Sequence, residues 1–234
     1  MTSNETKRII TLDGPAGSGK STVATILAKR LGYLHADSGA LYRSLTVACI
    51  DQIGAGQSVE DFGNRFSQSK VNPESFQFRV DYENGQQLHF LNEVELGQRI
   101  RSLEVTERIR FIADDLAFRN RVNQLLRDLS KKTSIIVDGR DIGTVVFPET
   151  EYKFYLDADV HTRAVRRFSE LQESGISDTT LESIEKQISL RDEQDRNRKI
   201  GALRIPEKAI LIDTSNIDRD MVVSGILAHL QQQF

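Results

Sequence analysis

The sequence between residues 8 and 31 reads RIITLDGPAGSGKSTVATILAKRL. Its apolar start, residues 8–13, is typical of a buried strand, and apolar residues three and four apart over residues 20–31 predict a helix that stops at Gly32. Between them, residues 14–21 match the pattern GxxxxGKS/T. Such a loop points successive backbone N–H groups at a polyphosphate, and the helix adds the positive end of its dipole. The strand and helix favour a nucleotide phosphate site over a simple glycine-rich turn.

The side chains of this loop have expected partners in a bound nucleotide. Lys20 can reach the β- and γ-phosphates, and the hydroxyl of Ser21 can bind Mg²⁺. The sequence leaves open whether Asp13, Asp138 or Asp141 orders the water molecules around the metal. We expect ATP to contact Gly14, Pro15, Ala16, Gly17, Ser18, Gly19, Lys20, Ser21 and Thr22.

The composition disfavours several broad classes of protein. The chain has 234 residues, one cysteine, 38% apolar residues and a net charge of −3. These values predict a globular fold of one or two domains without disulfides, and the near-neutral charge disfavours a general nucleic-acid binder. No apolar run approaches the ~18 residues of a membrane helix, and the first eight residues lack the apolar part of a signal peptide. We therefore expect a cytoplasmic location.

Five short apolar runs predict the strands of the fold. They occupy residues 8–13, 33–36, 134–138, 152–157 and 209–213, and helical patterns lie between them. Because the runs are continuous rather than alternating, we expect both faces of each strand to be buried, as in a parallel α/β sheet with helices on both sides. All five runs end at or just before an aspartate, at the edge where such sheets bind ligands.

A different pattern lies between residues 51 and 100. Residues 76–82 and 87–91 have the character of two strands, and Asn84-Gly85 between them is typical of a tight turn that needs positive φ. We therefore predict a small antiparallel insertion in the parallel core.

Three kinds of nucleotide protein fit the loop: a small-molecule kinase, a GTPase-type switch and an ATPase that drives other machinery. A switch normally carries an N/T-K-x-D element, and no lysine of this chain is followed two residues later by aspartate. A motor ATPase usually needs a larger module than 234 residues. A kinase needs a second anion site beside the loop, for which the sequence offers candidates.

Three charged segments are candidates for this second anion site. Residues 37–43 (DSGALYR) follow the second strand, residues 138–144 (DGRDIGT) follow the third, and residues 191–198 (RDEQDRNR) end a long helix. In the first segment, Arg43 can bind an acceptor phosphate as a fork. The second places two carboxylates and an arginine together at a strand end, which is costly without a ligand. The alternatives are a helix N-cap for the first, a mutually satisfied turn for the second and a frayed, exposed helix end for the third.

The long helix carries the most informative of these patterns. At 100° per residue, one stripe begins with Leu181, Ile184 and Ile188. The same stripe continues with Arg191, Asp195 and Arg198. A solvated helix would carry its charges opposite the apolar stripe, so we predict that this helix end faces an anion.

On the preceding helix the pattern is the opposite. The arginines lie away from the apolar stripe of that helix, which predicts a solvent-exposed face made of Arg163, Arg166 and Arg167.

The chain resembles a known family in four motifs. DGPAGSGKST, DSGALYR, DGRDIGTVVFP and RDEQDRNR occur here in the order and at the spacings of bacterial cytidylate kinases, from about residue 8 to the C-terminus. The resemblance implies an α/β, three-layer P-loop kinase with a five-stranded parallel sheet, a small antiparallel insertion and a mobile lid. It implies a single nucleoside monophosphate kinase domain over residues 1–234, with an acceptor-binding region at 38–130 and the lid at 160–200.

The resemblance also implies a reaction and its residues. The reaction is transfer of the γ-phosphoryl group of ATP to CMP or dCMP, with Mg²⁺ as the metal. The implied catalytic residues are Lys20, Arg140, Arg191 and Arg198. The implied substrate-binding residues are Ser38, Arg43, Arg119, Arg140, Asp141, Arg191, Asp195 and Arg198, with Asp195 at the ribose and both Asp141 and Arg119 at the cytosine.

Two positions depart from the family pattern. Arg119 and Arg121 are alternative matches to the same position of the family pattern. A serine that helps to read the base in the family would align near Arg110, with Ser102 and Thr106 as displaced candidates. These departures affect base selectivity rather than the class of reaction.

The chemistry of the acceptor suggests how the base would be chosen. The carboxylate of Asp141 can accept a hydrogen bond from the exocyclic amine of cytosine, which uracil lacks.

The alternative functions for the chain are a P-loop kinase for another small acceptor, such as UMP or shikimate, and a non-enzymatic nucleotide-binding regulator. We expect a monomer that binds small molecules rather than nucleic acid or a membrane.

Overall fold

The chain folds around one parallel sheet with a second, antiparallel sheet beside it. The computed structural model describes residues 7–83, 86–173 and 179–231. The strands are β1 (Ile9–Asp13), β2 (Leu34–Asp37), β3 (Phe78–Glu83), β4 (Gln86–Leu91), β5 (Val94–Glu95), β6 (Ile135–Gly139), β7 (Tyr152–Asp157) and β8 (Ile210–Asp213). The α-helices are α1 (Lys20–Leu31), α2 (Ser38–Ile53), α3 (Val59–Ser69), α4 (Leu103–Ala113), α5 (Leu116–Lys132), α6 (Val160–Glu173), α7 (Leu181–Asn197) and α8 (Arg219–Gln231).

The larger sheet has the strand order β2-β6-β1-β7-β8, and all of its strands are parallel. The five predicted strands are the strands of this sheet, each within one residue of its observed bounds. Tyr33 precedes β2 because its N–H bonds the carbonyl of Ala28 (3.0 Å) at the end of α1. Since β1 is the central strand, the loop that follows it opens at the middle of the carboxyl edge, where parallel sheets bind ligands.

Both faces of this sheet are covered by helices. α1 and α8 pack on one face, around Leu12, Ile136 and Phe154. α2, α4 and α5 cover the opposite face, around Val137 and Phe118. The predicted three-layer arrangement is therefore confirmed. No helix in the described ranges has both the length and the apolar character that crossing a bilayer requires.

α6 and α7 share a small apolar core of their own. Its buried residues are Ala164, Ile184 and Ile188, and partly buried side chains such as Phe168 pack around them. This core is separate from the two clusters on the faces of the sheet. Polar contacts therefore contribute much of the connection between this helix pair and the sheet.

β3, β4 and β5 form a three-stranded antiparallel sheet. β3 and β4 pair from Phe78 with Leu91 to Glu83 with Gln86, which is the predicted hairpin. The predicted Asn84-Gly85 turn lies outside the described residues. β5 was not predicted, because it has only two residues and both are exposed, so it carries no apolar pattern.

His89 on β4 is a buried titratable group. Its side chain is 3% exposed, and its Nδ1 lies 2.9 Å from the hydroxyl of Ser44 on α2. Burial, together with the charge of Arg101, lowers the pKa of His89 from 6.5 to about 4. Because the unfolded chain keeps the ordinary pKa, protonation favours the unfolded state as the pH falls from 6.5 towards 4.

We predict that His89→Gln makes stability less dependent on pH. Below pH ~6.5, the contribution of His89 to the free energy of unfolding should fall by about 1.4 kcal/mol per pH unit in the parent protein. Urea unfolding at several pH values between about 7 and 5 measures this decline. His161→Gln, at a side chain that is 69% exposed, is the control and should follow the parent. Parallel stability curves for His89→Gln and the parent would contradict the prediction.

Candidate active site

The loop between β1 and α1 forms the centre of the candidate site. Gly14 has φ +148°, and a Cβ there would lie 2.0 Å from the carbonyl oxygen of Leu156 on β7, so the chain can leave the sheet here only at a glycine. α1 begins after its N-cap residue, Gly19. Because glycine has no side chain, no side-chain cap occupies the first N–H groups of the helix. The N–H groups of the first turn of α1 are therefore available to an anion.

Lys20 is buried beneath this loop. Its ammonium donates to the carbonyl of Pro15 (2.6 Å). Burial lowers the pKa of Lys20 to about 7, and the nearby charge of Arg140 acts in the same direction. A phosphate bound at the loop would favour the charged form of Lys20, because it adds an opposite charge beside the ammonium.

Ser21, in the first turn of α1, contacts Asp138 near the carboxyl end of β6. Oγ of Ser21 donates to Oδ2 of Asp138 (2.5 Å), and Oδ1 of Asp138 lies 2.6 Å from Nε2 of His35. Burial would raise the pKa of Asp138, but the hydrogen bonds with His35 and Ser21 and the charge of Lys20 hold it below its ordinary value. An ionised carboxylate therefore lies beside the Ser21 hydroxyl.

The other two carboxylates considered for a metal have protein partners. The two oxygens of Asp13 accept the N–H groups of Ile142 (2.8 Å) and Gly143 (2.7 Å). Burial raises the pKa of Asp13 to about 7, although these hydrogen bonds oppose it. Asp141 is paired with Arg119. Asp13 thus anchors the turn after β6, whereas Asp138 is the one of the three carboxylates that contacts Ser21.

Asp195 links the turn after β6 to the end of α7. Its Oδ2 accepts a hydrogen bond from Nε of Arg140 (2.8 Å), and its Oδ1 lies 3.1 Å from Nη2 of Arg198. Burial would raise the pKa of Asp195, but the charges of Arg140 and Arg198 hold it below its ordinary value. The structure thus brings together two of the three charged segments, DGRDIGT and RDEQDRNR.

Arg191 is a half-buried arginine on α7 that lacks a partner. It makes no hydrogen bond or ion pair with any residue in the described part of the chain. Burial lowers the pKa of Arg191 to about 10, and the charges of Arg140, Arg43 and Arg198 act in the same direction, whereas the charge of Asp195 opposes them. Four guanidinium groups therefore lie near one another, an arrangement that an anion would stabilise.

The remaining segment, DSGALYR, places Ser38 and Arg43 on α2. Oγ of Ser38 donates to the carbonyl of Asp138 (2.7 Å), and Nη1 of Arg43 donates to Oγ1 of Thr106 (2.8 Å). Asp37 is the N-cap of this helix, so the alternative given for this segment, a helix N-cap, is confirmed. The cap and the site are compatible, because the cap uses the carboxylate of Asp37 and leaves the side chains of Ser38 and Arg43 to other partners.

Arg119 and Asp141 form a buried ion pair. The guanidinium of Arg119 also lies 5.8 Å from the ring centroid of Tyr42. Burial raises the pKa of Asp141, although the charge of Arg119 opposes it. Arg121, the competing alignment, instead lies 3.1 Å from Glu74, outside this pair.

Arg110, which aligns near the base-reading serine of the family, is not part of the Arg119–Asp141 pair. Arg110 is exposed, and its guanidinium lies 4.7 Å from the ring centroid of Phe111. Of the two displaced candidates, Ser102 is the N-cap of α4, whereas Thr106 accepts a hydrogen bond from Arg43. Thr106 is therefore the candidate that contacts the arginine group.

The predicted solvent-exposed face of α6 is wrong for two of its three arginines. Arg163 is 2% exposed and lies 2.6 Å from Asp192 on α7. Arg166 donates to the hydroxyl (3.1 Å) and the carbonyl (2.5 Å) of Thr214. Only Arg167 is exposed. The helical pattern failed because the first turns of α6 lie against the phosphate loop, so their polar side contacts protein; nothing in the sequence signals this contact.

Comparisons with known proteins give a consistent result. A profile of the cytidylate kinase family matches residues 10–232. The cytidylate kinase of Streptococcus suis is 40% identical over 220 residues, which are 93% of each chain. That of Streptococcus mutans is 42% identical over 217 residues, again 93% of each chain, and that of Limosilactobacillus fermentum is 35% identical over 224 residues, 95% of each. The chain therefore belongs to the cytidylate kinase family.

Proposed function

We propose that this protein transfers the γ-phosphoryl group of ATP to CMP and dCMP, forming ADP and CDP or dCDP. Membership of the cytidylate kinase family supports this reaction. The observation that carries it is Arg191, which is half-buried beside Arg140 and has no ion-pair partner among the described residues. A phosphate would stabilise this group of cations, and the acceptor of the proposed reaction supplies one.

ATP binds along the loop between β1 and α1 in this proposal. The N–H groups of the loop and of the first turn of α1 bind its phosphates, as at other helix N-termini. Lys20 exchanges the carbonyl of Pro15 for the β- and γ-phosphates, and Thr22 lies in the same first turn. The loop thus holds the donor at the edge of the sheet that also carries the arginines.

The oxygens beside the loop fit a magnesium ion. Magnesium usually takes one or two protein oxygens together with water and substrate phosphates. We propose that Ser21 binds it and that Asp138, which lies 2.6 Å from His35, orients its water molecules. When bound, the ion neutralises part of the charge on the β- and γ-phosphates.

The chemical step requires positioning and charge stabilisation rather than a general base. The acceptor phosphate is already anionic at neutral pH, and one of its oxygens forms a bond to the γ-phosphorus. The bond from that phosphorus to the oxygen bridging to the β-phosphate breaks, and its electron pair leaves with ADP. Arg140, Arg191 and Arg198 reduce the repulsion between the two anions and stabilise the transferring group, while Ser38 and Arg43 hold the acceptor phosphate.

The segments named in the sequence acquire roles in this proposal. Residues 38–130 bind the acceptor, and residues 160–200 act as a lid. The lid is supported by the separate core of α6 and α7 and by polar links to the rest of the site, such as Arg198 to Asp114 (2.6 Å). Such links can break and re-form, and closure would exclude the water that competes with the acceptor.

Cytosine is chosen by Arg119 and Asp141 in this proposal, and Asp195 contacts the ribose. A buried carboxylate accepts a hydrogen bond from the amine of cytosine, but it repels the carbonyl oxygen at the same position of uracil. The raised pKa of Asp141 reflects this burial.

We further propose that the protein acts as a monomer in the cytoplasm. Cys49, a buried free thiol, is compatible with a reducing compartment.

The direct test is an assay of ADP release with CMP, dCMP, UMP, AMP and shikimate as acceptors. We predict release with CMP and dCMP at least about tenfold faster than with the others. Lys20→Met should lower this turnover by about a hundredfold or more, because it removes a charge from the phosphate site, and thermal unfolding should show that the variant is still folded. ATP binding without ADP release would favour the regulator, and release with only UMP or shikimate would favour another kinase.

A second prediction concerns the choice of base. Asp141→Asn should narrow the preference for CMP over UMP, measured as the ratio of kcat/KM values, by about tenfold or more, because an amide can donate to the uracil oxygen. Asp195→Asn is the matched control: it should weaken the use of both acceptors without changing their ratio. An unchanged ratio in Asp141→Asn would place base reading elsewhere.

A further inference from the structure

Arg163 on α6 and Asp192 on α7 form a buried ion pair that has no part in the mechanism above. Both residues are 2% exposed. Nη1 and Nη2 of Arg163 lie 3.1 and 2.6 Å from the two carboxylate oxygens of Asp192. Because this is a two-point contact between a planar fork and a carboxylate, it constrains orientation as well as distance. The pair therefore fixes how α7 sits against α6.

The same guanidinium also reaches the phosphate loop. Nε of Arg163 donates to the carbonyl of Ala158 after β7 (2.9 Å), and Nη1 donates to the carbonyl of Ala16 in the loop (3.1 Å). A Cβ on Gly17 would lie 3.2 Å from the Cβ of Arg163, so the loop and α6 are in close contact. One side chain therefore contacts the loop, the edge of the sheet and α7.

The contact with Ala16 bears on the binding of donor phosphates. In a trans peptide unit, a carbonyl and the N–H that follows it point in opposite directions. By holding the carbonyl of Ala16, Arg163 constrains the direction of the N–H of Gly17, which belongs to the loop. A phosphate that attracts this N–H also acts on the carbonyl and, through it, on Arg163.

The other end of the pair leads to the acceptor side. Asp192 directly follows Arg191 on α7, and Asp195 lies about one turn further on. Asp195 in turn contacts Arg140 and Arg198. Because the apolar core of α6 and α7 is separate from those of the sheet, Arg163 is a specific polar link between α7 and the loop.

We propose that Arg163 and Asp192 are positioning residues that couple the donor site to the acceptor site. Phosphates in the loop act through the Ala16 carbonyl and the ion pair on α7, and they set Arg191 and Asp195 for the acceptor. The inference rests on the proposed function, since it requires that both sites bind nucleotides. By thermodynamic linkage the acceptor must strengthen donor binding by the same factor.

The test is calorimetric titration of the full chain with CMP, with and without a non-hydrolysable ATP analogue and Mg²⁺. In the parent protein we expect the analogue to tighten CMP binding by about fivefold or more. Asp192→Asn keeps the size of the side chain but loses the charge and the two-point contact. It should bind each nucleotide alone within about threefold of the parent but reduce the coupling to less than about twofold.

Steady-state kinetics give a second readout that a purely structural role would not produce. In Asp192→Asn, kcat for CMP should fall by about tenfold or more, while the KM for CMP at saturating ATP should rise only by the lost coupling factor, about fivefold. Glu193→Gln, the same acid-to-amide change at the next, exposed residue of α7, is the control and should behave as the parent. Arg163→Lys keeps the charge but loses the planar fork, so it should also lose the coupling between donor and acceptor binding. It replaces Asp192→Asn as the test variant if Asp192→Asn does not fold.

The outcomes separate the inference from the proposed function. Coupling that persists in Asp192→Asn or in Arg163→Lys, or that is absent from a parent enzyme that phosphorylates CMP, would overturn the inference alone. A parent protein that neither binds nor phosphorylates CMP would overturn the proposed function and, with it, the inference.

Discussion

Repulsion between arginines is the constraint around which this site is built. Burial and the charges of Arg140, Arg43 and Arg198 lower the pKa of Arg191 to about 10, although the charge of Asp195 opposes them. The carboxylate of Asp195 pairs with two of them and leaves Arg191 without a partner in the described part of the chain. Such a group is costly without an anion, and we propose that the acceptor phosphate supplies one.

The rest of the fold holds these cations opposite the loop. β1 lies at the centre of the sheet, and the loop leaves it at Gly14. Asp13, the last residue of the same strand, accepts the N–H groups of Ile142 and Gly143, so it fixes the turn that carries Arg140. A main-chain anion site and a side-chain anion site are thereby attached to neighbouring strands, as transfer between two phosphates requires.

The sequence predicts the framework of the fold well and the tertiary contacts of charged residues poorly. The five parallel strands and α1 carry continuous apolar runs or a clear helical stripe, and Gly32 ends α1 in a left-handed conformation as expected. The inward charges of α7 were also predictable, because Asp195 continues an apolar stripe. Arg163 was not, since its burial depends on Asp192 and Ala16, which are distant in sequence. The same limit applies to the choice between Arg119 and Arg121. It depends on the contact of Arg119 with Asp141, which the sequence does not show.

The position of the bound acceptor phosphate is the property on which the proposed reaction depends most directly. A crystal structure with CMP and a non-hydrolysable ATP analogue would locate that phosphate. We predict that it lies within hydrogen-bond distance of Arg43, Arg140 and Arg191, with the γ-phosphate of the analogue between it and the loop. A CMP phosphate bound elsewhere, with the Arg191 side chain in bulk solvent, would contradict the account.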